Sequence, residues 1–253
     1  MDAVCVALLW QEIFARTATL QLRWQERLLL GLSVWIVYLL DHVLDSFCMT
    51  PSRSTNNEPR HHFARRHRSL LISGIFVAII VDTTTALTLP YSILVAGGLL
   101  GTAATFYLGM NTLLMRQGRW LRGREILIAL FFSFGCGLIP LLKTEHPFYI
   151  LGSIFFFALL CTLNCVLIAR MERSAPLSLL QLLPEPIVII GMISLFFLLS
   201  NTYWKVVPIQ IAFSMSLFGL SLIAGIAKRY GYEIASLATD GALLLGAFVA
   251  LLS

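Results

Sequence analysis

Long apolar runs, separated by short polar segments, dominate this sequence. Nine of them approach the length of about 17–25 residues that an α-helix needs to cross the hydrocarbon core of a bilayer. The first run is interrupted by Gln11, Glu12 and Arg16, and the seventh is short. The pattern predicts an all-α, polytopic membrane protein with about nine transmembrane helices in one bundle. The predicted runs are 3–20, 28–48, 69–89, 91–110, 125–142, 148–168, 185–200, 206–225 and 234–252.

The composition supports a membrane protein. Hydrophobic residues make up 58% of the chain and charged residues only 12%, whereas soluble domains carry about 25% charged residues. These values exclude an ordinary soluble domain and a disordered chain. The five cysteines show no paired spacing and are interpreted as small buried hydrophobic residues. No segment is left for a soluble domain, so residues 1–253 are predicted to form a single membrane domain.

The basic residues indicate how the chain is oriented. The net charge is +5, but the basic residues do not gather with aromatic ones on a soluble face, so no nucleic-acid partner is expected. With nine spans, thirteen Lys and Arg residues fall in the loops of one side and four in those of the other. The positive-inside rule makes the basic side cytoplasmic. The basic loop 49–68 is therefore predicted to be cytoplasmic.

Two carboxylates close the second run. Asp41 and Asp45 are one helical turn apart and share a face with Tyr38. Two such acids repel each other unless a positive charge lies between them, and Mg²⁺ typically binds one or two carboxylates plus substrate phosphates. The spacing indicates a Mg²⁺ site. The alternative is a pair of acids solvated in the headgroup region or paired with Arg60 or Arg65.

The sixth run ends in a comparable way. Asn164 and Glu172 are eight residues apart, so they lie on roughly one helix face. Because runs two and six both pass from outside to inside in the predicted topology, Asp45 and Glu172 reach the cytoplasmic surface together. Glu172 is thus a predicted third metal ligand, with pairing to Arg170 or Arg173 as the alternative.

Another acid, Asp240, lies about two turns inside the last run. Exposure to lipid would be costly there, so Asp240 should face the interior of the bundle. It could bind an arginine of another helix, contact a substrate as a catalytic residue, or fix helix packing. Asp82, in the third run, is open to the same structural interpretation.

Polar groups near the predicted cytoplasmic side are suited to an anionic substrate. Guanidinium groups bind phosphate oxygens in bidentate fashion, and a group of arginines follows the first acid pair directly. A belt for lipid headgroups is the alternative. The candidate substrate-binding residues are Tyr38, Arg60, Arg65, Arg66, Tyr107, Asn111, Arg116 and Asn164.

Nine spans, an acid pair at the end of the second, a basic loop after it and a polar, acidic ending on the sixth resemble the UbiA-type intramembrane prenyltransferases over nearly the whole chain. In that family, helices surround a central chamber, and two aspartate-rich motifs bind Mg²⁺ and the diphosphate of a polyprenyl donor. Leu40 stands where the first motif commonly has Asn, and Glu172 is the one acid of the second. Tyr107 is followed by Asn111 without the usual lysine, for which Arg116 or Arg119 could substitute.

The resemblance implies an Mg²⁺-dependent enzyme that ionises an isoprenoid diphosphate and transfers the prenyl group to a lipophilic acceptor within the lipid bilayer. The departures fit a divergent branch, and such branches include membrane-bound terpene cyclases, in which the substrate's own double bonds capture the cation. A transporter for a small solute is an alternative of another class. It is disfavoured because the acids cluster near one face and few polar groups reach the other.

Overall fold

The computed structural model of the chain describes residues 2–48, 68–117, 123–172, 207–226 and 232–252, and the regular elements in these ranges are all α-helices. Each described helix coincides with a predicted apolar run to within four residues at either end, except that α4 continues six residues beyond the predicted end at 110. The predicted run 185–200 lies outside the described residues. In chain order the helices are α1 (Asp2–Thr17), α2 (Trp24–Cys48), α3 (Arg68–Ala86), α4 (Tyr91–Arg116), α5 (Arg124–Lys143), α6 (Pro147–Glu172), α7 (Val207–Ile226) and α8 (Tyr232–Leu252).

Several of the described helices have the length and composition of membrane spans. Three segments are long and apolar enough to cross a bilayer, namely Tyr91–Leu114, Arg124–Lys143 and Pro147–Ile168. Shorter apolar segments are Leu71–Ala86, Ile209–Leu220 and Ala238–Leu252. The prediction of an all-helical membrane protein is confirmed in this coarse form. The described helices do not by themselves reach nine spans, so that number stays a prediction.

The helices group into two compact units. The large unit contains Met1–Arg23 and Arg122–Ser253, and its described helices are α1 and α5 to α8. The small unit contains Trp24–Leu121, with α2, α3 and α4.

Helix α1 lies at the centre of the large unit, where it packs against α5, α6, α7 and α8. Trp10, Gln11 and Phe14 are all completely buried. Glu12 and Arg16, which interrupt the apolar run, form an ion pair of 3.8 Å on a more exposed face. Arg16 also donates from Nη1 to the carbonyl of Leu251, 2.8 Å away, and so satisfies one of the free carbonyls at the end of α8.

An aromatic cluster fills the core around α1. The ring of Trp10 stacks on Phe157 of α6, with centroids 4.1 Å apart and an interplanar angle of 21°. Phe213 of α7 lies 5.0 Å from Trp10 and packs edge-on against Phe156 at 4.9 Å. Phe132 of α5 lies 6.0 Å from Phe157. Rings from four helices therefore meet, and their mutual packing holds these helices together.

Small residues set the close approach of α7 and α8. At Gly246 of α8, an added Cβ would meet the side chain of Ser216, the carbonyl oxygen of Ala212 at 2.7 Å and the amide nitrogen of Ser216 at 2.9 Å. At Gly219 of α7, it would meet the Cβ of Ala242 at 2.8 Å. Glycine is required at both positions because the helix backbones are nearly in contact, as is common between membrane helices.

Gly246→Ala is expected to destabilise the protein by about 1–3 kcal/mol, because the obstructing atoms at Gly246 include backbone, which cannot rotate away. The measurement is the shift of the thermal unfolding midpoint in detergent, followed by circular dichroism. Gly241→Ala is the matched control on the same helix, since nothing lies within 4 Å of its added Cβ. That change should be neutral or stabilising by up to about 1 kcal/mol. Equal midpoints for the two variants would contradict the close contact.

In the small unit, α2 packs against both α3 and α4. The short connection 87–90 joins α3 to α4, but the described residues of this pair make little contact with each other. Large apolar side chains of this pair are exposed, among them Phe76 at 65%, Leu99 at 69% and Phe106 at 72%. An apolar surface of this kind suits helices that face lipid.

Candidate functional site

Helix α2 is continuous through its two acidic residues and ends at Cys48. Tyr38, Asp41 and Asp45 therefore lie on one helix face, as their spacing predicts. Tyr38 is 40% exposed and Asp41 is half-buried. Asp45 belongs to the helix, although its side chain lies outside the described part. The face remains accessible enough to meet a ligand.

A side-chain hydrogen bond fixes α2 against α3. The hydroxyl of Ser33 donates to Oδ2 of Asp82 at 3.1 Å, which supports the structural interpretation of Asp82. Asp41 and Asp45 follow Ser33 by eight and twelve residues. At about 1.5 Å per residue they lie roughly 12 and 18 Å further along α2.

Helix α4 carries two more candidate residues. Tyr107 and Asn111 are one turn apart and both are buried, with 8% and 5% of their surface exposed. If neighbouring spans are antiparallel, as the predicted topology requires, they lie about 18 and 24 Å beyond the level of Asp82. Tyr107 is then within about one turn of the level of Asp41 and Asp45. On this predicted topology, these four candidates lie at one end of the small unit, in which α2 and α4 are in contact. We call this end the acidic end.

The donor set at the acidic end fits Mg²⁺ in its chemistry. Carboxylate and amide oxygens are hard ligands, and Mg²⁺ usually takes only one or two carboxylates and completes its shell with water and substrate phosphate. Within the described ranges, no group of three or more His, Cys, Asp or Glu side chains is arranged to hold a metal by itself.

In the large unit, Asn164 and Asp240 meet across α6 and α8. Asn164 donates from Nδ2 to Oδ1 of Asp240 at 2.9 Å, and Asn164 is 93% buried, since 7% of it is exposed. Asp240 thus faces the interior of its unit, as expected for an acid in a membrane helix. The contact explains how Asp240 is held in place, and its catalytic role stays a prediction.

Helix α5 contributes a further side chain at the depth of Asn164 and Asp240. The side chain of Ile154 on α6 lies directly against Gly137 on α5, and α5 and α6 are joined by the short connection 144–146. Because α5 and α6 run antiparallel, a step toward the start of α5 corresponds to a step toward the end of α6. Glu125, twelve residues before Gly137, therefore lies opposite Val166, twelve residues after Ile154. Consistently, Cys165 is within electrostatic range of Glu125, Arg124 and Asp240. We call Glu125, Asn164, Cys165 and Asp240 the polar layer.

From the sequence alone, Glu125 is either a plausible lining group or an ordinary interfacial acid, and Cys165 is interpreted as a small buried hydrophobic residue. Glu125 looks like an ordinary acid at the start of a helix, where the helix dipole favours negative charge. The signal that could have found it is the length of the connection 144–146, because so short a connection fixes which residues of α5 and α6 face each other.

Other predicted site residues cannot be placed against these groups. Helix α6 continues to Glu172, and α4 to Arg116, beyond the predicted ends of the runs at 168 and 110. The side chains of both residues lie outside the described part. Three predicted substrate-binding arginines lie outside the described residues altogether, namely Arg60, Arg65 and Arg66. Asp41 and Asp45 belong to the small unit and Glu172 to the large one.

No protein-family model, no curated protein and no solved structure matches this chain.

Proposed function

We propose that this chain is an Mg²⁺-dependent intramembrane enzyme that ionises an isoprenoid diphosphate and transfers the prenyl group to a lipophilic acceptor. The proposal includes nine spans around a central chamber. The observation that supports it best is the continuous helix α2, which carries Tyr38, Asp41 and Asp45 on one face. Helix α2 also contacts α4, which carries Tyr107.

The residues have distinct roles in this proposal. Asp41 and Asp45 of the small unit would hold Mg²⁺, which supplies positive charge for the leaving diphosphate. Glu172 stays a metal ligand predicted from the sequence alone. Tyr107 and Asn111 would donate hydrogen bonds to the same diphosphate oxygens. Because these donors are fixed on helices before the substrate arrives, they stabilise the developing charge without reorganising.

Arginine side chains would add further positive charge for the diphosphate. The four predicted arginines would form bidentate contacts with the phosphate groups. Asn164 and Asp240 of the large unit complete the predicted substrate-binding and catalytic residues. The four arginines are Arg60, Arg65, Arg66 and Arg116.

The reaction is a substitution at an allylic carbon. The bond between that carbon and the diphosphate oxygen breaks, and the electron pair leaves with the diphosphate. The acceptor then forms a bond to the allylic cation and loses a proton. The apolar side chains of the surrounding helices exclude water, which would otherwise capture the cation and give an alcohol.

The test is release of diphosphate by the detergent-purified protein from geranyl, farnesyl or geranylgeranyl diphosphate with Mg²⁺, with mass analysis of the organic extract. Chelation of Mg²⁺ by EDTA is expected to abolish release, and added Mg²⁺ to restore it. Release that requires a lipophilic extract supports prenyl transfer. Release without acceptor, together with a terpene hydrocarbon or alcohol, would make the protein a cyclase. The absence of release with every donor and extract would contradict the enzyme.

A further inference from the structure

Asp82 of the small unit is an acid that the proposed reaction does not use. It lies in the apolar segment Leu71–Ala86 of α3, close to the middle of the predicted run 69–89. The three residues before it, Ile79, Ile80 and Val81, are exposed. In a bilayer such side chains face lipid, so the surface next to Asp82 is hydrocarbon rather than water.

The carboxyl group of Asp82 has a single polar contact within the described part of the chain. Ser33 is hydrogen-bonded to Oδ2 at 3.1 Å, whereas Oδ1 is buried without a hydrogen-bond partner. An ionised carboxylate can accept about four hydrogen bonds. A charged Asp82 would therefore leave most of its capacity to accept hydrogen bonds unused.

Helices α3 and α4 offer no cation that could balance a charge on Asp82. Asp82 is the only charged residue of the sequence between Arg68 and Arg116, and this stretch contains no histidine. Arg68 lies fourteen residues before Asp82, which corresponds to about 21 Å along a helix. A counter-charge would have to come from another helix.

Helix α2 packs against α3 but does not supply that counter-charge either. The titratable side chains of α2 nearest to Ser33 are Arg27 and Tyr38, six and five residues away. These steps correspond to about 9 and 7.5 Å along the helix, and Asp82 contacts neither side chain. The other titratable residues of α2 are further from Ser33, namely Glu26, Asp41, His42 and Asp45.

A protonated carboxyl group fits these surroundings. It carries no charge, and an uncharged group is far less costly to place among hydrocarbon than a carboxylate. The contact with Ser33 suits this form as well, because a hydroxyl group can accept a hydrogen bond as well as donate one. The separation of 3.1 Å is compatible with either direction of the bond.

We propose that Asp82 binds a proton and remains an uncharged carboxylic acid in the folded protein at neutral pH. Its hydrogen bond with Ser33 then holds α2 against α3 without burying a charge between the two helices. The ligand of this site is the proton itself. The site is independent of the Mg²⁺ and the diphosphate of the proposed reaction.

The test is infrared spectroscopy of the full-length protein in phosphatidylcholine vesicles at neutral pH, without isoprenoid substrate. Subtracting the spectrum of Asp82→Asn from that of the parent protein isolates the bands of the Asp82 carboxyl group. A protonated carboxyl group has a C=O stretching band above the amide I region, and this band moves to lower frequency in D₂O. We expect that band in the difference spectrum. The paired stretching bands of a carboxylate in its place would overturn the proposal.

Two further variants provide the control and identify the partner. Glu12→Gln removes an acid that is paired with Arg16, and it should remove carboxylate bands and no acid band. Ser33→Ala removes the hydrogen-bond partner of Asp82, so the acid band should move to higher frequency. An unmoved band would exclude Ser33 as the partner. If Asp82→Asn does not fold, the band that moves in Ser33→Ala assigns Asp82, and the absence of any acid band in the parent protein would overturn the proposal.

Discussion

Asp41→Asn is expected to lower Mg²⁺-dependent diphosphate release by about 100-fold or more. Asparagine has nearly the same shape but no charge, so the variant keeps the helix and loses a carboxylate ligand. Metal ions contribute several kcal/mol to the stabilisation of transition-state charge, and a loss of about 3 kcal/mol corresponds to roughly 100-fold in rate. The measurement is the initial rate of diphosphate release at saturating allylic diphosphate, repeated over a range of Mg²⁺ concentrations.

The dependence on Mg²⁺ separates a metal ligand from a residue that only supports the fold. In Asp41→Asn, the Mg²⁺ concentration for half-maximal release should rise, whereas a structural change would lower the amount of active protein at unchanged Mg²⁺ dependence. Asp82→Asn is the matched control in the same unit, because Asp82 is held by Ser33 on α2. It should retain release close to that of the parent. Unchanged release by Asp41→Asn would rule out Asp41 as a metal ligand.

Most of the secondary structure could be predicted from the sequence because the apolar runs are long and their polar boundaries sharp. The first run shows where this reasoning is weakest. Gln11, Glu12 and Arg16 make it look like a poor span, yet α1 packs against all four other described helices of the large unit. Hydropathy averages over the whole circumference of a helix, so it cannot register that Trp10 and Phe14 are completely buried while Glu12 pairs with Arg16 on another face.

In the candidate sites, too, the sequence pattern of one helix predicts less than the packing of several helices determines. Spacing within one helix predicts which residues share a face, and α2 is continuous through Asp41 and Asp45 as that spacing requires. The bond between Asn164 and Asp240 joins residues 76 positions apart and depends on the register of α6 against α8. Register is set by side-chain packing, which no periodicity along one helix contains.

The register of the large unit depends on its aromatic core, and Trp10→Ala is accordingly expected to cause the largest loss of stability of any single change considered. Trp10 is completely buried and contacts Phe157 at 4.1 Å and Phe213 at 5.0 Å between ring centroids. Truncation of a buried aromatic residue to alanine costs about 3–5 kcal/mol, because the packing is lost and a cavity remains. The measurement is unfolding by circular dichroism, since tryptophan fluorescence itself changes with the substitution.

Two further variants decide whether ring packing is the cause. Trp24→Ala is the same chemical change at a position that is 66% exposed, and it should alter stability by no more than about 0.5 kcal/mol. Trp10→Phe keeps a ring and removes Nε1, which is buried without a hydrogen-bond partner in the described part of the chain. Its cost should therefore be well below that of alanine, because the lost area is partly offset by the removal of an unsatisfied donor. If Trp10→Phe destabilises as much as Trp10→Ala, the indole nitrogen rather than the stacked ring holds α1 in place, and the central position of α1 would need another explanation.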